Sequence, residues 1–261
     1  MLKIQRYISD ELTHFVGKSL SNENEQYDLL INILNSGWLT HPPHQHTDRN
    51  SGGLTLSRHL KLSENLMYSP EVICFCDIPL DDIGLHVTKY SRVGLAFSKS
   101  FLIEKGANPV FYISKDSKVK HWPSVDEPNN FSNILRSELF DTMIDNYQNL
   151  VKNLMIYFKD LSYQSAEVIG SKSLQRKITD FQHQVFELER FLDFHIFSYL
   201  KFFDSSKSED DPENYYMERE WRKIGNLQFN IADVRRVFLP EQYAGNFRKD
   251  VPAFLGQLTF V

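Results

Sequence analysis

A chain of 261 residues that is 41% hydrophobic, 13% aromatic and 24% charged has enough apolar side chain for one sizeable core and too ordinary a charge content for general disorder. Its formal net charge of −5 excludes a protein that coats nucleic acid non-specifically, which needs excess Lys and Arg to displace counterions; a local basic groove stays open. Met1 to Arg6 has no apolar signal-peptide core, and no stretch approaches the ~20 apolar residues of a bilayer span, so the expectation is a cytoplasmic protein with no membrane association.

In chain order, Ile8 to Phe15 reads as a short extended segment. Tyr27 to Gly37 is an amphipathic helix with Gly37 as its C-cap. His41 to His59, with Pro42-Pro43 and Gly52-Gly53, is a loop of a length that is often functional. Its histidines His41, His44 and His46 have no standard zinc spacing. Val72 to Ile78, Val93 to Phe97 and Pro109 to Ile113 are short apolar runs bounded by turn residues and read as strands. Phe101 to Lys105 forms one helical turn, stopped at Gly106.

From about Phe131 to Leu161 the apolar residues, among them Leu139, Met143, Leu150, Leu154 and Phe158, recur three and four apart, which is a helix. A second helix runs from about Leu174 to Phe203. The two read as a helical hairpin inserted at about 131–203, serving as core and scaffold, with a stripe wide enough to leave a partner surface. Ser205 to Asn214 is an acidic, solvated linker. Tyr215 to Ile224 and Val234 to Pro240 read as strands, Glu241 to Phe247 as a short helix and Leu255 to Val261 as a closing strand. Strands at both ends with helices between, and no βαβ alternation, predict a single α+β domain over 1–261. Neither a Rossmann glycine fingerprint nor a P-loop is present.

Few residues here bear chemistry. Read as a strand, Tyr215 to Arg222 puts Tyr216, Glu218, Glu220 and Arg222 on one face. Two carboxylates so placed repel, which readies one of them for acid–base or ribose-anchoring work; a solvated face neutralised by Arg219 and Arg222 is the plain alternative. His14, after Thr13, gains interest only if it converges with those glutamates. Gly94, behind Tyr90 and before Phe97, would let a ligand or another backbone approach, or simply ease a tight strand entry. Cys74 and Cys76 share a strand face and read as reduced, buried small hydrophobes. A metal-dependent nuclease would need a carboxylate cluster, for which Asp77, Asp81 and Asp82 are the nearby candidates.

Several segments taken together resemble the AbiGi family of abortive phage resistance proteins. They are Tyr7 to Gly17, Ile33 to Leu39, Cys74-Phe75-Cys76-Asp77-Ile78-Pro79-Leu80, His86, Tyr90 to Lys99, Lys105 to Tyr112 and Glu218 to Arg222. The resemblance covers roughly 6–113 and 213–261. The same order of parts is similar to DarT-like ADP-ribosyltransferases, where a Thr-His segment precedes a helix ending in an I-L-x-x-G turn and the catalytic glutamate lies on a late strand. That resemblance implies a split β-sheet core with NAD as substrate. Carried over by position, Thr13 and His14 would hold the dinucleotide, Tyr90 or Phe97 would stack near nicotinamide, and Glu220 or Glu218 would bind the nicotinamide ribose. It further implies a mono-ADP-ribosyltransferase toxin with a nucleic-acid target, no metal, and a cognate antitoxin, with or without a chaperone. The alternative is a non-enzymatic AbiGi-type antitoxin or partner-binding protein that uses the long helices as its interface.

Overall fold

The computed structural model describes residues 9–42, 44, 53–117, 139–168, 172–208, 211 and 213–261. Its first elements are β1 (Glu11–Phe15), α1 (Glu23–Ser36), β2 (Trp38–Leu39), β3 (Leu54–Leu56), β4 (Tyr68–Pro70) and β5 (Val72–Cys76). There follow α2 (Gly84–Lys89), β6 (Gly94–Ser98), α3 (Lys99–Glu104), β7 (Asn108–Pro109), β8 (Phe111–Ser114), α4 (Leu139–Val168) and α5 (Lys172–Phe191). The last are β9 (Leu200–Phe203), β10 (Glu220–Ile224), β11 (Leu227–Gln228), β12 (Val234–Leu239), α6 (Ala244–Asp250) and β13 (Gln257–Phe260). A mixed α+β protein with one large sheet and several helices is the outcome, as the strand-and-helix pattern implied.

The described residues fall into two compact units, one within 1–53, 70–112 and 203–261, the other within 54–69 and 113–202. The expected insertion therefore recruits the short stretch 54–69 as well. In the first unit, seven strands form a sheet in the order β13-β12-β6-β1-β5-β10-β7. β12 and β13 run parallel and every other neighbouring pair is antiparallel. One face carries the main core, in which Leu12, Phe75, Leu95 and Phe97 meet Tyr27, Leu30 and Leu34 of α1. The other face packs Ala96 and Phe238 with Ile83 and Val87 near α2. In the second unit, Leu62, Met67, Tyr68, Ile144 and Phe202 make a separate core. Asn65 clamps it, its amide donating to the Phe202 carbonyl at 2.8 Å and its carbonyl accepting from the Phe202 N–H at 2.7 Å.

Two boundaries differ from expectation. The second long helix ends at Phe191, not Phe203, and passes through a π turn (Leu192–Ile196) and a 3-10 turn (Phe197–Tyr199) into β9. The Ser198 hydroxyl takes the Asp193 carbonyl at 2.6 Å, and such side-chain competition for backbone acceptors disrupts a regular helix. The stretch expected as a strand from Tyr215 opens instead as a 3-10 turn, Tyr215–Glu218, with Arg219 left-handed at φ 46° before β10 begins. Asn214 drives this: its side chain accepts from the Tyr216 N–H and donates to the Lys207 and Ser208 carbonyls. An Asn so engaged starts a turn rather than continuing a ladder. The first residues of the expected hairpin, 131–138, lie outside the described residues, as does His46.

α1 shows local sequence fixing a local end. Asn22 caps its first turn by accepting from the Asn24 N–H at 2.9 Å, and Gly37 closes it at φ 70° with its N–H on the Ile33 carbonyl. A Cβ at Gly37 would also lie 2.6 Å from the Phe229 carbonyl oxygen. Gly37→Ala should therefore lose at least the ~1–2 kcal/mol of a left-handed residue, read as a lower midpoint in urea unfolding. An unchanged midpoint would mean that this turn is not strained.

Candidate functional site

β1 pairs with β6 through five residue pairs and β5 with β10 through five, yet β1 and β5 meet at a single pair, Thr13 with Cys76. A longer ladder would give the Cys74 carbonyl a backbone donor. Here the His14 ring supplies it, with Nδ1 2.8 Å from the Cys74 oxygen. A carbonyl only accepts, so Nδ1 carries the proton. Burial lowers the His14 pKa, against a smaller opposing effect from that same hydrogen bond, so the ring is neutral at pH 7. Nε2 is then left as an acceptor.

The His14 ring lines a cleft of about 750 Å³ beside α1 and β2, a volume within the range of small-molecule sites. Lys18, Asn32, Trp38 and His44 also line it. They supply one cation, an amide, an aromatic face and an imidazole. Sequence reasoning passed over Lys18 and Trp38; the signal for Trp38 was its place immediately after the helix-capping glycine.

The carboxylates part company at Arg219. Glu218, 6% exposed, turns to α2, where Lys89 Nζ lies 2.6 Å from Oε1 and the Tyr90 hydroxyl donates to the same oxygen. Burial and the Glu218 charge push the Tyr90 pKa far up, which keeps that hydroxyl a donor. Glu220, 5% exposed, opens β10. Its Oε1 accepts from Arg222 Nε at 2.7 Å and lies 3.3 Å from Cys74 Sγ, while its backbone N–H donates to the Tyr112 hydroxyl at 2.7 Å. The two carboxylates thus have separate cations and do not share one strand face.

Register fixes which site residues meet. Thr13, Cys76 and Glu220 are paired in a row and share a face, while His14 lies on the opposite face, its ring 5.8 Å from that of Phe75. Cys74 is the common neighbour of His14, through its carbonyl, and of Glu220, through its thiol. Neither Glu218 nor Glu220 is among the residues lining the His14 cleft, and Thr13 is not either. Phe97 has no exposed area and packs against Phe75, Phe101 and Phe229, so it offers no face to a ligand. Tyr90 stacks with both Phe15 and His86, with ring centroids 6.0 and 6.2 Å away. Gly94 admits a neighbouring backbone rather than a ligand, since a Cβ there would come 2.9 Å from the His14 carbonyl oxygen. Cys76 is buried as expected, whereas Cys74 is exposed.

Among the described residues no group of three His, Cys, Asp or Glu side chains is placed to hold a metal ion. Asp77 is committed instead to Lys99 Nζ at 2.8 Å and the Ser9 N–H at 3.1 Å. No helix among the described residues is long and apolar enough to cross a membrane.

Comparison with known proteins gives one family. The model of the family described as "Putative abortive phage resistance protein AbiGi, antitoxin" matches residues 57–247. This span includes Tyr90, Glu218 and Glu220 but not His14. An abortive phage resistance protein AbiGi of Lactococcus lactis subsp. cremoris is 25% identical over 189 residues, which are 64% of this chain and 70% of that protein. No solved structure matches.

A second imidazole gives the site region a measurable pH response. His86 is 6% exposed, and neither ring nitrogen has a hydrogen-bond partner among the described residues. Burial lowers its pKa to about 4, against the raising effect of Glu218. An unfolded histidine takes up its proton near pH 6.5, so between those values the unfolded state holds the extra proton. The stability contributed by neutral His86 is therefore complete above about pH 6.5 and is lost as pH falls. Asp193, its pKa raised to about 6 chiefly by burial, acts oppositely, so the diagnostic is a difference between variants. Relative to wild type, His86→Leu should gain about 1–2 kcal/mol between pH 7 and pH 5, after discounting for solvent screening. Urea unfolding at the two pH values measures it, and parallel pH dependences would contradict it.

Proposed function

The chain belongs to the AbiGi family of abortive phage resistance proteins, and from that footing we propose that it is a mono-ADP-ribosyltransferase, moving ADP-ribose from NAD to a macromolecule, with nucleic acid the favoured acceptor. The observation that carries this reading is the joint at Cys74. An N-terminal imidazole and a late-strand carboxylate contact one residue, at a place where the sheet ladder stops, and a cleft of dinucleotide scale opens on the imidazole side.

The residues suit the substrate. Neutral His14, with Nε2 free of its proton, accepts from a ribose hydroxyl. Lys18 offers its charge to the diphosphate, and Trp38 offers a face to a base. In the transfer, the bond between nicotinamide and ribose C1′ breaks with its electron pair leaving on nicotinamide. The acceptor's nucleophile forms the new bond to C1′ and gives up its proton. Positive charge builds on the ribose between these events, and Glu220 is the carboxylate assigned to stabilise it and hold a ribose hydroxyl. Glu218, tied down by Lys89 and Tyr90, is assigned to hold the turn that delivers Glu220.

A second reading is favoured by the family's own description as an antitoxin: a non-enzymatic protein that neutralises a cognate partner. Expression of the chain alone separates the two, since a transferase toxin arrests growth and an antitoxin does not. For the transferase, purified protein with labelled NAD and candidate DNA, RNA and protein acceptors should transfer label. Glu220→Gln should reduce that transfer at least ~100-fold, the scale on which removal of one transition-state electrostatic group acts. Absence of label on every acceptor would end the enzymatic reading.

A further inference from the structure

The helical hairpin leaves apolar residues in water at a regular interval. Met143, Leu150 and Tyr157 on α4 are seven residues apart and exposed. On α5, Phe181 and Leu188 repeat the seven-residue step, with Phe191 beyond them, again exposed. A soluble surface seldom keeps so many large apolar side chains together without a use for them. An interval of seven on a helix of 3.6 residues per turn is the seam of knobs-into-holes packing, so the fitting occupant is another helix.

Charge along α5 indicates whose helix. Lys172, Arg176 and Lys177 lie in its first two turns, and Glu187 and Glu189 in its last two. Arg190 interrupts the acidic end, but its guanidinium is engaged over the rings of Phe186 and Phe194, at 5.7 and 5.2 Å from their centroids. Two copies of α5 set antiparallel about a two-fold axis place each basic end on an acidic end. A parallel pair would place like on like. We infer that the exposed face of the α4–α5 hairpin is the contact of a two-fold homodimer, a self-complementary surface of the kind closed dimers use. The dimer rests on neither reading of the sheet-borne site.

Sedimentation velocity of the full chain up to about 50 μM protomer, a range in which a dimer of moderate affinity is populated, should give twice the 30.6 kDa chain mass. The double variant Leu150→Asp with Leu188→Asp should weaken the dimer roughly 100-fold or more by burying charge at the seam. Its circular dichroism should match wild type, since both positions are exposed in one copy. Two charge variants provide a check that does not depend on the apolar positions. Reversing Lys172, Arg176 and Lys177 to Glu should weaken association, and adding Glu187→Lys and Glu189→Lys to that chain should restore it. A monomer throughout the concentration range, a dimer indifferent to the aspartates, or a complex only with a different protein would each overturn the proposal.

Discussion

At the Cys74 carbonyl, a backbone acceptor that a continued ladder would satisfy is taken by an imidazole. A net hydrogen bond of this kind is worth on the order of 1 kcal/mol, and here the His14 ring supplies it where the ladder between β1 and β5 stops. That one substitution of side chain for backbone has several consequences. It fixes the tautomer of the ring, while burial keeps the ring neutral against the raising effect of that bond. It also leaves the imidazole in the wall of the cleft beside α1, where a ladder carried past Thr13 and Cys76 would have left only strand.

The other half of the arrangement is electrostatic. Glu220 is buried against Arg222 and beside the Cys74 thiol. Removing one member of a buried pair costs about 3–5 kcal/mol, because the other is left uncompensated. The Glu220 carboxylate is therefore held in one orientation, which is what a group that stabilises transient charge requires. Glu218 is held as firmly, but toward α2. The left-handed Arg219 between them is the point where the chain sends two neighbouring acids in different directions. His14 and Glu220 come from opposite faces of the sheet by register, so a substrate that uses both must engage the place where β1 and β5 separate.

Much of the fold was legible in the sequence because it is locally encoded. The cap at Gly37, the helical turn stopped at Gly106, the β-branched run of β5 and the closing strand β13 all announce themselves through residue type and spacing. What was not legible depends on partners distant in the chain. Tyr215 to Glu218 has the composition of a strand, and only the Asn214 side chain and the Lys89–Tyr90 pair turn it into a 3-10 turn. Phe97, which the resemblance to ADP-ribosyltransferases offered for stacking, is sealed by Phe75 and Phe229 from distant segments together with Phe101 four residues on. The role of Cys74 was invisible for the same reason. Its carbonyl and its thiol are engaged by residues 60 and 146 positions away.

The state of the His14 ring tests this account most directly. Protein labelled with ¹⁵N at histidine reports the protonation of each ring nitrogen separately. His14 should hold its proton on Nδ1 and keep Nε2 bare at and somewhat below neutral pH, and addition of NAD should shift the Nε2 resonance as it accepts a ribose hydroxyl. A ring protonated on Nε2, or a His14 signal indifferent to saturating NAD, would contradict both the open joint between β1 and β5 and the site built upon it.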